Sequence, residues 1–404
     1  MQTTISLNDY LYQENDTIET GSRPTHQVTG IFRTFTWWMI KLRIFYFTCI
    51  ILRSPKKILD IYKRMLSLRS NVWGGDLKKL YHVGNKFYFN QYTPGWPSKA
   101  YDELIKSELR RQASPLETKE RLSFVFLAIT RKCPMRCEHC FEWDNLNLSE
   151  SFTLDDLYKV VDIYQKEGVL QIHFSGGEPM VRYKDLVKLV RYTSKKTECW
   201  VLSSGFNVTP QTARELKEAG CKGMVISIDH YLPNRHNAFR GKEGSFVQAV
   251  KAVKYAQEAG MVTSISVCAT KEFLDGKHLM PYMDFARDLG VQFVQVLEPR
   301  QVGHYAGKEV HLEDAHIELL EKAFTTINHH PSFSHYPTML YHGYHQRRVG
   351  CFSGSRSVYV DSAGDVHACP FCHTKSYNII ELVRGEGKAL PQKENACPRF
   401  GKIA

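Results

Sequence analysis

With 404 residues, 43% of them hydrophobic and 24% charged, the chain can build one large core and one or two smaller ones, which excludes a globally disordered protein. Eleven cysteines, an odd number, behind a polar start of mixed charge argue against a secreted disulfide scaffold and for a reducing, cytoplasmic setting. The net charge of +11 is uneven: between Arg33 and Arg69 nine basic residues face the single acid Asp60, which points to a local acidic partner and not to a nucleic-acid binder.

Residues 1 to about 30 are polar and broken by Gly21, Ser22 and Pro24, a loose lead-in. Residues 31–70 mix Phe32, Phe35, Trp37, Trp38, Phe45, Tyr46 and Phe47 with aliphatics and bases, and predict a helix packed against the body of the protein. The uncharged stretch 44–52 is too short to cross a bilayer, which takes about 20 apolar residues. An interfacial helix is the competing reading, with Trp at headgroup level and the Lys56-Lys57 and Lys63-Arg64 pairs near anionic lipid. A polar helix over 101–112 leads to a boundary near Pro115.

From Ser123 the rhythm changes. Strands are predicted at 123–130, 170–174, 199–203, 224–228, 262–268 and 291–297. They alternate with helices at 153–167, 183–195, 210–219, 246–259 and 278–289, the first opened by a capping-box pair, Thr153 and Asp156. Six strand–helix units in series predict an α/β fold with a parallel sheet and outer helices. Six falls short of the eight that close a full barrel, so a partial, open (β/α)6 barrel is expected. A helix over 313–328 ends the series, and 357–360, the Ser362-Ala363-Gly364 turn and 366–368 read as a hairpin. The expected domains are 1–118, an N-terminal extension, partly helical, basic and aromatic; 119–330, the barrel core; and 331–404, a small hairpin-containing domain rich in cysteine.

Directly after the first strand comes RKCPMRCEHCF, residues 131–141. Cys133, Cys137 and Cys140 stand in a C-x₃-C-x₂-C spacing. Three thiolates on one loop can wrap one face of a cuboidal 4Fe–4S cluster and leave its fourth iron without a protein ligand. A single zinc ion is the competing occupant, but zinc wants four closed ligands, and His139, wedged between two of the cysteines, is a cramped fourth. With the aromatic Phe141 after the last cysteine, the loop resembles the signature of the radical S-adenosylmethionine (SAM) superfamily, over roughly residues 120–300. Further matches fall at strand ends in the family's order. Ser175-Gly176-Gly177-Glu178-Pro179 resembles its GGEP motif; Ser203-Ser204-Gly205 follows the third strand; Ser227 and Asp229 close the fourth, before His236, Asn237, Arg240 and Gly241. Each later match is weak alone, since a GGEP is often only a strand–helix turn. The resemblance implies that Phe141, Ser175, Gly176, Gly177, Glu178, Ser204, Ser227, Asp229 and Arg240 contact SAM, with Glu178 taking its amino group. It also implies that SAM chelates the open iron and is cleaved reductively to methionine and a 5′-deoxyadenosyl radical, which takes hydrogen from a substrate C–H bond. No side chain is singled out as a catalytic acid or base.

Cys351, Cys369, Cys372 and Cys397 form a second set. With the glycine-turned hairpin, it resembles the opening of the SPASM and twitch extensions that follow many radical SAM cores. The full SPASM pattern continues with more closely spaced cysteines, which this chain lacks, so the resemblance implies one auxiliary 4Fe–4S cluster closed by four thiolates and suited to electron transfer. A structural zinc site competes for the same cysteines. Cys49, Cys199, Cys221 and Cys268 lie in apolar runs and are expected to be buried. The implied partners are a reductant such as flavodoxin or ferredoxin and a substrate: a peptide, modified oxidatively or cross-linked, or else a small or lipid-linked molecule. A peripheral membrane contact through 31–70 stays open, and Glu298, Arg300 and His304 are candidate pocket residues. The reading from a different class is a non-catalytic metal-binding scaffold.

Overall fold

The computed structural model describes residues 26–52, 54–114 and 122–386. The segment 31–70 forms two helices, not one: α1 (Gly30–Ile51) and α2 (Pro55–Trp73). The break falls at Pro55, whose ring cannot continue a helix but fits a first turn, and α2 stops where Gly74 turns left-handed at φ 68°. A short hairpin follows, β1 (Tyr81–Val83) with β2 (Lys86–Tyr88). Then comes α3 (Lys99–Ala113), capped by the Ser98 hydroxyl, which accepts from the Tyr101 N–H at 3.1 Å. The three helices enclose a small core of their own around Trp37, Ile40, Ile44, Met65, Tyr101 and Leu109. Arg43 ties α1 to α3 through two parallel bonds to Asp102, 3.1 and 2.6 Å.

The barrel runs β3 (Phe124–Ala128), α4 (Leu154–Lys166), β4 (Gln171–Ser175), α5 (Tyr183–Thr193), β5 (Glu198–Ser203), α6 (Pro210–Ala219), β6 (Cys221–Ser227), α7 (Pro233–Arg240), α8 (Ser245–Glu258), β7 (Val262–Cys268), α9 (Lys271–Asp275), α10 (Leu279–Asp288) and β8 (Phe293–Leu297). Neighbours from β3 to β8 are all parallel, so the six expected strands are found in the expected order. The capping box of α4 is present: Thr153 Oγ1 accepts from the Asp156 N–H and the Asp156 carboxylate from the Thr153 N–H, both at 3.1 Å.

The sheet then grows at both ends. Helix α11 (Asp314–His329) leads to β9 (Thr338–Tyr341), a further parallel strand beside β8. Helix α12 (His342–Val349) precedes β10 (Ser357–Val360), β11 (Asp365–Cys369), β12 (Cys372–Asn378) and the short α13 (Ile379–Arg384). β10 lies parallel on β3, with Ser357 opposite Phe124 and Val360 opposite Leu127. The order is therefore β12-β11-β10-β3-β4-β5-β6-β7-β8-β9, one open sheet with the cysteine-bearing hairpin at its edge.

The amino-terminal end of the barrel is plugged by the segment after β2. Gln91 donates to Gln295 at 3.0 Å and accepts, through its carbonyl, from Gln171 at 3.3 Å; Tyr92 stacks on Phe124 and His173. Access is left at the carboxyl ends of the strands, where parallel barrels carry their sites. No helix among the described residues is long and apolar enough to cross a membrane.

Candidate functional site

The cysteine loop leaves β3 and is fastened at four places. Asn147 clamps Cys133 in both directions: its Oδ1 accepts from the Cys133 N–H at 3.1 Å and its Nδ2 donates to the Cys133 carbonyl at 3.2 Å. The turn after β4 docks by backbone bonds, Gly177 N–H to Thr130 O and Glu178 N–H to Lys132 O, both 2.8 Å. This contact requires glycine, since a Cβ at 177 would lie 2.5 Å from the Lys132 carbonyl oxygen and 3.0 Å from the Cys133 Cβ. The end of α7 supplies two more bonds, Arg136 N–H to Arg240 O (2.9 Å) and Glu138 N–H to Phe239 O (3.0 Å). After β8, the His304 N–H donates to Cys140 O at 2.9 Å, its Nδ1 stands 3.0 Å from Cys137 O, and its ring stacks on Trp143.

Burial raises all three thiols, Cys133 to about 12; in Cys140 the neighbouring cysteines add to it, while Arg240 opposes it in Cys137. They are therefore neutral until a cation takes them as thiolates. His139 is pushed down to about 4 by burial and is neutral as well.

Two buried acids organise the remaining strand ends. Glu178 accepts from the Met180 N–H, the Ser203 hydroxyl, and both the N–H and hydroxyl of Ser204, at 3.0, 2.8, 2.7 and 2.6 Å. These four donors fill its lone-pair sites, so an incoming ammonium would displace a serine hydroxyl. Burial still leaves its pKa raised. Asp229 meets Arg240 Nε at 2.6 Å and accepts from the Cys268 N–H at 3.1 Å. Burial pushes its carboxyl up, but Arg240 and nearby imidazoles outweigh it, and the pKa is lowered. Arg240 in turn points NH1 at Cys137 Sγ, 3.4 Å away. Asp229 thus acts through Arg240.

One cavity of about 710 Å³ joins these parts. It is lined by Cys133, Cys137, Cys140, Phe141, the 175–178 turn, Ser204, Ser227 and Arg240, and also by Cys351, Cys369 and Cys372. Glu298 and Arg300 line it too, paired at 3.0 Å. Asp229 and His304 stand behind its wall, and Cys397 lies outside the described residues. Sequence reasoning missed two further walls: Trp37, Ile40, Ile44 and Met65 from α1 and α2, and Tyr341, His342 and His345 around the start of α12.

Residues 127–275 match the model of the Radical SAM superfamily. The chain carries a radical SAM domain. AdoMet-dependent heme synthase of Nitratidesulfovibrio vulgaris is 32% identical over 148 residues, 36% of this chain and 40% of that protein. PqqA peptide cyclase of Bradyrhizobium diazoefficiens is 28% identical over 198 residues, 48% of this chain and 51% of that one. The chain thus matches about half, or less, of the length of these curated relatives, which are enzymes by name. SuiB of Streptococcus suis, solved with the precursor peptide SuiA, superposes with a TM-score of 0.55 at 15% identity, covering 82% of this chain and 78% of that one. At that identity the likeness is one of fold, and it reaches well beyond the radical SAM domain.

The donor set of the radical SAM domain fits a 4Fe–4S cluster: three cysteines on one tethered loop, all facing one cavity. Among the described residues no group of three His, Cys, Asp or Glu side chains is arranged to hold a single metal ion. A cuboidal cluster does not need one, because each thiolate binds a different iron. Three cysteines of the second set, Cys351, Cys369 and Cys372, face the same cavity. Cys369 and Cys372 are opposite each other across the two-residue turn Pro370-Phe371, and Cys351 is buried with Gln346 Nε2 at 3.5 Å from its sulfur. Phe141 meets Phe371 edge-on at 5.8 Å and Tyr359 at 5.6 Å, so it packs between the two sets. Next to it, buried Glu142 accepts from the Tyr359 and Ser362 hydroxyls and locks the first cysteine loop to the hairpin. Burial pushes its carboxyl up to about 7. Cys199, Cys221 and Cys268 are buried as expected, but Cys49 is exposed, because it falls on the outer side of α1.

Proposed function

We propose that the protein is a radical SAM enzyme acting on a substrate held between its two cysteine sets, and that the substrate is a peptide undergoing oxidative modification or cross-linking. One observation carries the reading: a single cavity gathers the three-cysteine loop, the GGEP turn and three cysteines of the second set. When bound, a 4Fe–4S cluster and SAM would supply, with an electron from a flavodoxin- or ferredoxin-type donor, reductive C–S cleavage to methionine and a 5′-deoxyadenosyl radical.

The chain's own residues set the stage for this chemistry. Cys133, Cys137 and Cys140 would each hold one iron. Gly176 and Gly177 keep the adjoining turn free of side chains, and the guanidinium of Arg240, oriented by Asp229, offers charge-assisted N–H groups to a carboxylate. Cys351, Cys369, Cys372 and Cys397 would hold the auxiliary cluster, with Phe141 and Phe371 excluding water between the two. The peptide assignment rests on the resemblance to PqqA peptide cyclase. The apolar wall from α1 and α2 favours a second reading, a substrate with a lipid-like chain.

Electron paramagnetic resonance of the anaerobically reconstituted, dithionite-reduced protein tests the open iron. SAM should shift the cluster signal in wild type and in Cys369→Ala, but not in Cys137→Ala. A signal indifferent to SAM would contradict the proposal, as would zinc in place of iron. The triple variant lacking Cys133, Cys137 and Cys140 should still bind iron and sulfide if the second set holds a cluster. Finding zinc there would limit the protein to one cluster.

A further inference from the structure

Helix α1 is apolar on two opposite sides. Its inner side, including Trp37, Ile40, Ile44 and Phe47, is buried on α2 and α3. Its outer side presents Phe32, Phe35, Trp38, Leu42, Phe45 and Ile50, each between 41% and 75% exposed. Their spacing follows the helical repeat, so they form one stripe along the helix. A helix apolar all round is ordinarily covered all round, and an exposed stripe this long marks a contact surface.

The rim of the stripe identifies the partner. Helix α1 contains no acid. Tyr62 of α2 sits edge-on to Phe45 at 5.4 Å, which brings the α2 face beside the stripe. That face carries Leu59, 53% exposed, with Lys56 three residues before it and Lys63 four after, both exposed. Several other bases of the region are matched by acids: Arg43 by Asp102, Arg69 by Asp76 and Arg64 by Asp60. Exposed aromatics bordered by lysine, with no acid in the helix, suit a surface that is apolar beneath and anionic on top. A second copy docked on this face would bring the same lysines and, in α1, no acid to answer them.

We propose that α1 and α2 dock the protein onto an anionic lipid bilayer, with α1 lying in the headgroup plane. The contact is peripheral, since no described helix is long and apolar enough to span a bilayer. The inner sides of the same helices line the cavity that reaches Cys133, so docking holds that cavity next to the bilayer. Docking does not depend on the radical SAM chemistry and is measured without it.

The test is co-sedimentation of the full chain with vesicles of phosphatidylcholine alone or mixed with phosphatidylglycerol. Wild type should pellet with the mixed vesicles. Phe35→Ser with Trp38→Ser should weaken this by about tenfold or more, because both side chains are solvent-exposed and their loss leaves the core intact. Lys56→Glu with Lys63→Glu, on the other helix, should remove the preference for anionic lipid. Pelleting of all three proteins alike overturns the proposal, as does no vesicle binding by wild type. Light scattering that shows a dimer, dissociated by the Phe35/Trp38 changes and indifferent to vesicles, gives the stripe to a second copy and also overturns it. So does binding that appears only after residues 1–25 are removed, which gives the stripe to the chain's own N-terminus.

Discussion

Removing the carboxylate of Asp229 should destabilise the protein more than most single changes. Asp229 and Arg240 are 5% and 7% exposed and meet at 2.6 Å. Asp229→Ala leaves a guanidinium buried with its counter-charge gone, which costs about 3–5 kcal/mol. That is a large part of the roughly 5–15 kcal/mol that holds a folded domain together. At about 2–4 °C per kcal/mol for a domain of this kind, the melting temperature should fall by roughly 6–20 °C. The double change Asp229→Ala with Arg240→Met removes both charges, so it should be less destabilised than Asp229→Ala alone. Urea unfolding followed by circular dichroism supplies the four free energies of the cycle. If Asp229→Ala loses less than about 1 kcal/mol, or if the two changes simply add, the pair is not the organising contact described above.

Other outcomes follow from named contacts. Gly177→Ala puts a Cβ 2.5 Å from the Lys132 carbonyl oxygen, so the cysteine loop must shift; iron bound after anaerobic reconstitution should drop well below wild type, and an unchanged iron content would count against the docking of that turn. Glu142 is raised from the ordinary carboxylate range to about 7, so its proton is favoured by folding. Its contribution is complete below about pH 4.5 and is lost as pH rises through 7, up to about 3 kcal/mol in all. Glu142→Gln should flatten this fall in stability, and a slope that persists in the variant would place its origin elsewhere. Tyr92→Phe deprives Gln295 of the hydroxyl it donates to at 2.6 Å and should cost about 1–3 kcal/mol in urea unfolding, while loss below a few tenths would show the plug to be loosely held.

The radical SAM domain was legible because its chemistry is local. Cys133, Cys137 and Cys140 sit within eight residues, and each later motif follows a strand whose apolar run is plain in the chain. The Thr153–Asp156 capping box was legible for the same reason. What depends on distant pairing was not. β9 has only four residues, all buried, too few to show a period. That β10 joins β3 across more than 200 residues leaves no mark in either segment, so the hairpin read as a separate unit when it is an edge of the barrel sheet. The link from Glu142 to Tyr359 and Ser362 is of the same kind. The two helices of residues 31–70 were half legible: their apolar character was clear, but the doubling back at Pro55 that exposes Cys49 and buries Ile44 was not.

A three-cysteine loop that leaves one iron open would make SAM cleavage possible in this chain. The most direct measure of that cleavage is 5′-deoxyadenosine released when anaerobically reconstituted protein receives SAM and dithionite. Wild type should form it, and Cys137→Ala should form none above the protein-free control. Equal yields from the two proteins, or none from an iron-loaded wild type, would contradict the account.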